Sequence, residues 1–204
     1  MRVKRRITCI FGLRGSGKST LANYICESFG GKALYYDTVA EVPAGAGYDH
    51  YRPTNRQGDA AGVAELEATI KAILKSRRYS LLAIDEANRF APPKPSPLPP
   101  AIADLNDICR HLSGDGLGVI FIARRPVQLN QDITELADNI IIYRLRGRND
   151  IGYLDDLADG LGQAVAGLGD YEYALVDRDR SFRVMPPVPI AGAWQNRERR
   201  HQQT

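Results

Sequence analysis

The sequence predicts an α/β protein with a mainly parallel central sheet, helices on both faces and a β-hairpin near its carboxyl end. Three observations carry this. Short apolar, β-branched runs alternate with stretches whose apolar residues recur at helical spacing. The most polar motifs fall directly after the apolar runs, where ligands sit in such sheets. The last two apolar runs are separated only by Arg178-Asp179-Arg180, a hairpin spacing.

Taken in order, residues 5–12 (RRITCIFG) are apolar, β-branched and bounded by glycine, which predicts a buried strand. Residues 18–29 predict a helix stopped by Gly30-Gly31, and 33–36 a short strand ending at Asp37. Residues 39–55, rich in Gly, Pro and Tyr without periodicity, read as a loop. Val63, Leu66, Ile70, Ile73 and Leu74 place a helix over 62–78, followed by a strand at 80–84 that runs into Asp85-Glu86. Residues 91–100 hold six prolines and predict a stiff excursion, neither helix nor central strand. Ile102, Leu105, Ile108, Cys109 and Leu112 share one face of a helix over 101–112. Strands at 117–123 and 139–145 flank a short helix at 132–137. Two short helices (151–158 and 161–167) lead to the hairpin of 171–177 and 181–185. The expected division is one domain over 1–185 and a Pro-containing basic tail over 186–204.

Composition narrows the class. The 204 residues are 44% hydrophobic and 25% charged, enough for one ordinary core and incompatible with wholesale disorder. No apolar run approaches the ~20 residues that span a bilayer, so no membrane span is expected. The basic, then apolar start MRVKRRITCIF lacks the long apolar region and small-residue cleavage site of a signal peptide. Cys9, Cys26 and Cys109 are scattered and odd in number, as are His50, His111 and His201, which argues against a Cys/His zinc site and a disulfide framework. A net charge of +3 gives no global field for nucleic acid. Arginine outnumbers lysine 21 to 6, which suits bidentate phosphate recognition but also follows from GC-rich coding.

The chemistry concentrates in two motifs. Gly12-Leu-Arg14-Gly15-Ser16-Gly17-Lys18-Ser19 fits G-x-x-x-x-G-K-[ST], with a buried strand before it and a helix after it. Chance yields roughly 0.004 such matches from this composition, so a phosphate loop outweighs an ordinary glycine-rich turn. Its backbone N–H groups, with Thr20 closing the segment, would wrap the phosphates of ATP. Lys18 would reach the β and γ phosphates, and Ser19 would ligate Mg²⁺. The strand before Asp85-Glu86 delivers the second motif. Asp85 suits the Mg²⁺ water shell, and Glu86 suits a general base acting on water. Consecutive acids favour hydrolysis over phosphoryl transfer to a small molecule.

A third segment, Arg110-His-Leu-Ser-Gly-Asp-Gly followed by the strand 117–123 and Arg124-Arg125-Pro126, adds a resemblance. Together with the loop at 12–19, the pair Asp85-Glu86 and Asp138-Asn139-Ile140-Ile141, it resembles the HerA/FtsK group of P-loop ATPases over about residues 5–145. That group includes viral genome-packaging ATPases. The resemblance implies a P-loop NTPase fold of the RecA/ASCE-like type and ATP hydrolysis with Mg²⁺. It also implies translocation of double-stranded DNA by a homo-oligomeric ring, hexamer or pentamer. Arg110 matches the group's arginine finger, which reaches a neighbouring subunit's γ-phosphate; the bland reading is an arginine favoured at a helix end. Two features depart from the group's pattern: a longer spacing through residues 113–116, and Ala123-Arg124 where it has Thr-Gln. Arg124 then touches the γ-phosphate, communicates with the DNA side or forms a structural ion pair, and Arg14 is a rival finger acting in cis.

The length favours a viral or proviral packaging ATPase working in the cytoplasm, the host's if viral, and associating with the virion, with a capsid or portal protein as partner. Alternatives are a virion-assembly ATPase of the zonular-occludens-toxin type, a small-molecule kinase with residues 144–148 as lid, and a non-catalytic nucleotide switch. Candidate DNA contacts are Arg52, Arg56, Lys94, Arg144, Arg146 and Arg148; a solvated charged face is the alternative. Tyr48 and Tyr51 are read as loop packing.

Overall fold

The structure is a computed structural model that describes residues 1–112 and 115–190. The arginine-rich end of the expected tail, with His201, lies outside the described residues.

Strand β1 (Ile7–Phe11) runs into the Gly12 turn and helix α1 (Lys18–Phe29). Strand β2 (Ala33–Tyr36), the three-residue strand β3 (Asp49–Tyr51) and helix α2 (Ala60–Ser76) follow. Next come β4 (Leu81–Ile84), α3 (Pro100–Ile108), β5 (Gly118–Ala123), α4 (Gln131–Leu136) and β6 (Asn139–Tyr143). Helices α5 (Arg148–Leu157) and α6 (Leu161–Ala166) precede the hairpin β7 (Tyr173–Asp177) and β8 (Phe182–Met185). The strands form one sheet in the order β3-β2-β4-β5-β1-β6-β7-β8. The first six are parallel; β7 and β8 add antiparallel at one edge. The α/β class and the terminal hairpin are therefore as expected.

β1 sits in the middle because both its faces are apolar. Ile7, Cys9 and Phe11 join the core under α2 to α6, while Ile10 joins the core under α1. β5 does the same with Val119 and Phe121 on one side and Ile120 and Ile122 on the other. Such double-sided burial is what a run of consecutive apolar residues encodes in a parallel sheet. Each fully buried Phe or Ile contributes about 1.5–3 kcal/mol. The two faces are unequally covered. Five helices pack on one; α1 packs on the other, helped by Val42, Tyr48 and the chain after β8 through Met185, Val188 and Ile190.

Strand β3 corrects the expectation of a featureless loop over 39–55. It pairs in parallel with β2, Leu34 opposite Asp49 and Tyr36 opposite Tyr51. Its polar sequence, Asp-His-Tyr, lacks any apolar alternation. It is held instead by Glu65 of α2, which accepts from the Tyr51 phenol and the backbone N–H groups of Thr54 and Asn55, each at 2.8 Å. Helix α2 starts two residues before the expected position 62, where the Asp59 carboxylate accepts from the Gly62 N–H at 2.9 Å. The proline-rich segment is the non-helical excursion expected. Asn130 clasps it, its side chain donating to the carbonyls of Pro92 (3.2 Å) and Ser96 (3.0 Å), before Pro100 opens α3. Among the described residues no helix is long and apolar enough to cross a membrane.

Candidate functional site

Because β1, β4 and β5 are parallel neighbours, their carboxyl ends bring the loop 12–19, Asp85-Glu86 and Arg124 together. The Gly12 N–H donates to the Arg124 carbonyl at 3.2 Å and ties the loop to the end of β5. Gly15 and Gly17 have φ of +77° and +103°, a region glycine occupies without strain. Gly12 is required for a different reason. A Cβ there would lie 2.5 Å from Ser16 Oγ and 2.7 Å from Tyr143 Cβ. The Tyr143 phenol also donates to the Gly17 carbonyl at 3.2 Å, and the rings of Tyr143 and Tyr171 flank Gly17.

Helix α1 begins at Lys18, so the free N–H groups of its first turn face the loop. Lys18 Nζ donates to the Leu13 carbonyl at 3.0 Å, folded across the loop's mouth. Burial pulls its pKa down, countered by the charges of Asp85 and Glu86. Ser16 Oγ is buried without a hydrogen-bond partner, an acceptor and donor turned into the cradle. Arg14 and Gly15 are exposed; Ser19 and Thr20 are half-buried. A cavity of about 350 Å³ opens beside the loop, between Leu13, Arg14 and Ser16 on one side and Tyr143, Arg144 and Tyr171 on the other. A larger groove of about 690 Å³ lies between α2 and residues 45–51, away from these groups.

Asp85 is buried, 6% exposed, at the tip of β4. Burial pushes its pKa up to about 7, and the nearby carboxylates of Glu86, Asp37 and Glu41 push the same way. The Thr38 hydroxyl donates to the Asp85 carbonyl at 2.8 Å and fixes its backbone. Asp37 is fully buried and accepts from the N–H groups of Glu41 (2.8 Å) and Val42 (3.0 Å). These two residues at the end of β2 were missed from sequence, although Asp37 stood visibly at a strand exit. Among the described residues no cluster of three or more His, Cys, Asp or Glu makes a self-contained metal site. Ser19 and Asp85 fit a Mg²⁺ that draws its remaining ligands from phosphate and water.

Glu86 sits in the left-handed region, φ 49° and ψ 41°, costly for a residue with a side chain and common at functional positions. Its carboxylate receives Arg124 Nε at 3.2 Å. The general base expected at 86 and the arginine expected at 124 are thus direct partners.

Arg110 is placed elsewhere. It lies in a single 3₁₀ turn after α3, at the amino-terminal edge of the parallel strands, opposite to the loop. Its guanidinium donates to Asp138 at 2.9 Å. The candidate DNA contacts are largely engaged within the chain. Arg52 pairs with Asp37 (3.3 Å), Lys94 with Asp132 (2.6 Å) and Arg144 with Asp170 (2.6 Å), while Arg56 donates to the Pro53 carbonyl (3.3 Å). Arg146 and Arg148 are exposed at the start of α5. Tyr48 is core, its phenol donating to Asn23.

The family model described as an AAA domain matches residues 1–130, well over half the chain. The chain belongs to the AAA domain family. As a P-loop ATPase domain it carries its loop, acids and Arg124 within the matched span. No curated protein matches the chain. Among solved structures, this AAA domain is similar to the genome packaging NTPase B204 from Sulfolobus turreted icosahedral virus 2 in complex with sulfate. That likeness has a TM-score of 0.75 at 21% identity and covers 91% of this chain and 98% of that one. B204, the DNA-packaging ATPase from Sulfolobus Turreted Icosahedral Virus, gives 0.74 at 20% identity over 92% of this chain and 100% of that one. The N-terminal domain of zonular occludens toxin from Neisseria meningitidis gives 0.55 at 14% identity, over 91% and 95%. At such identities the likeness is one of fold.

Proposed function

We propose that this AAA domain is an ATP-hydrolysing motor that moves double-stranded DNA as a homo-oligomeric ring, of the HerA/FtsK type used in viral genome packaging. The observation that carries the reading is the meeting of four groups at neighbouring strand ends: the Lys18 loop, buried Asp85, strained Glu86 and Arg124. The fold likeness to packaging ATPases over nearly the whole of both chains supports the choice of motor. A toxin-type assembly ATPase is the second reading, favoured by the weaker fold likeness at 0.55.

In this reading the loop N–H groups, Ser16 and Lys18 hold the phosphates of ATP, and the cavity beside Tyr143 and Tyr171 takes the nucleoside. Ser19 and Asp85 would hold Mg²⁺, which would supply positive charge against the phosphates. Glu86 accepts a proton from the attacking water. Arg124 leaves Glu86 for the γ-phosphate, which frees the base only when ATP is present. Arg14, exposed on the loop, is the cis alternative for the final positive charge; Arg110 of a neighbouring copy supplies it in trans. Work takes place in the host cytoplasm, with a capsid or portal protein as the partner and five or six copies in the ring.

Steady-state ATP hydrolysis with and without long duplex DNA, at low and moderate salt, tests the proposal. Stimulation that fades with salt is expected, because phosphate contacts release counterions. Hydrolysis indifferent to DNA overturns the motor and favours the assembly-ATPase reading.

A further inference from the structure

The amino-terminal edge of the sheet joins Arg110 and Asp138, which the sequence placed in separate segments, into one cluster. Asp138, 3% exposed, precedes β6. One carboxylate oxygen accepts from the Ile7 N–H at 3.1 Å, which locks the side chain to the start of β1. The other oxygen faces three guanidinium groups: Arg110 at 2.9 Å, Arg178 at 3.8 Å and Arg6 at 4.0 Å. Those arginine side chains remain 45%, 69% and 37% exposed. Three positive charges against one leave two unmatched at a single point. Of the nearby acids, Asp177 pairs with Arg183 (2.5 Å), and Asp179 accepts from Ser181 (2.7 Å).

We infer that Asp138 is a clasp that presents Arg110, flanked by Arg178 and Arg6, to the triphosphate bound on the loop of a second copy of this chain. The inference rests on the ring reading above. Position rules out service to the chain's own loop, which lies at the other end of β1. Shape decides between two anions. The guanidinium groups converge on one oxygen, which suits a compact polyphosphate, whereas duplex DNA asks for cations spread along a track. A carboxylate anchored by a backbone N–H restricts an arginine without removing its remaining donors. Asp138 is thus a positioning residue, and Arg178 and Arg6 are contact residues beside Arg110.

The test is subunit mixing. Arg110→Ala, Arg178→Ala and Asp138→Asn proteins are each assayed alone and after mixing with Lys18→Ala protein, which has a disabled loop but an intact arginine cluster. The side-chain amide oxygen introduced by Asp138→Asn would still accept from Ile7, and Arg178 is largely exposed, so folding is checked by thermal melting and by ATP binding. Arg178→Ala and Asp138→Asn are each expected to lose about tenfold in turnover with KM for ATP unchanged, since a hydrogen bond to a charged group is worth about a factor of ten or more. Mixing is expected to restore turnover. Rescue of Arg110→Ala alone, with the other two as active as the parent, overturns the clasp and leaves the ring reading standing. No rescue of any variant sinks the ring reading itself. Retained DNA-free turnover with lost DNA retention on a filter assigns the cluster to DNA and overturns the inference.

Discussion

The two ends of the parallel sheet are built from the same residue types in opposite proportion. At the carboxyl ends of the strands Asp37, Asp85, Glu86 and Glu41 stand among Lys18, Arg52 and Arg124, and burial with the neighbouring carboxylates pushes the Asp85 pKa up. At the amino ends three arginines crowd around one aspartate. One end is short of positive charge and the other has a surplus. The lesson is that a buried ion pair need not be there for stability, which such pairs supply poorly. In the proposal above, each pair holds a charged group in a place where a third partner can take it.

The sharpest way to break the comparison is at the amino end. Arg110→Ala is expected to lower turnover by about 10³-fold or more, the scale of an arginine finger, with ATP binding to the isolated subunit intact; a loss confined to binding would contradict this. At the carboxyl end, Glu86→Gln is expected to cost about 10²- to 10⁴-fold in kcat while nucleotide binding persists. Retained hydrolysis would remove Glu86 as the base. Arg124→Gln tests whether the Glu86 pair is a holding arrangement. A fall of about tenfold in kcat with little change in KM is expected if Arg124 moves to the γ-phosphate; faster hydrolysis would mean that it only restrains Glu86. The smallest effect is on stability. Asp85 has its pKa raised from 3.8 to about 7, so the native protein keeps a proton that the unfolded chain releases. Without Mg²⁺ and nucleotide, stability therefore falls as pH rises through that interval. Asp85→Asn removes the effect. Its Tm is expected to match the parent near pH 4 and to exceed it above pH 7, where the parent has given up the proton. Equal melting at both pH values would show that Asp85 is not strained.

Much of the carboxyl end was legible in the sequence because its parts are consecutive. Gly12 to Ser19 and Asp85-Glu86 are short words following apolar strands, and parallel neighbours necessarily bring such words together. The pairing of Glu86 with Arg124 needed the strand order, β4 beside β5 beside β1, which no local pattern states. Strand β3 was unreadable for another reason: Asp49–Tyr51 carries no apolar alternation and depends on Glu65, which belongs to the next helix. Asp138 is the clearest case. It was read only as part of a strand signature, yet its partners Ile7, Arg6, Arg110 and Arg178 come from separate stretches of chain. The candidate DNA contacts Arg52, Lys94 and Arg144 each pair with an acid of their own chain, which no local pattern states.

Opposite charge at opposite ends has a consequence for symmetry. A contact that joins the amino end of one copy to the carboxyl end of the next is heterologous, so it has no two-fold axis and does not saturate in a dimer. Each open assembly keeps one unfilled loop and one unused arginine cluster, whatever its length. Only closure by a rotation that divides the circle fills the last loop, and a rotation that does not would give a helical filament instead. Turnover per copy should then rise with assembly size and reach its ceiling at closure, making activity itself a gauge of whether the circle is complete.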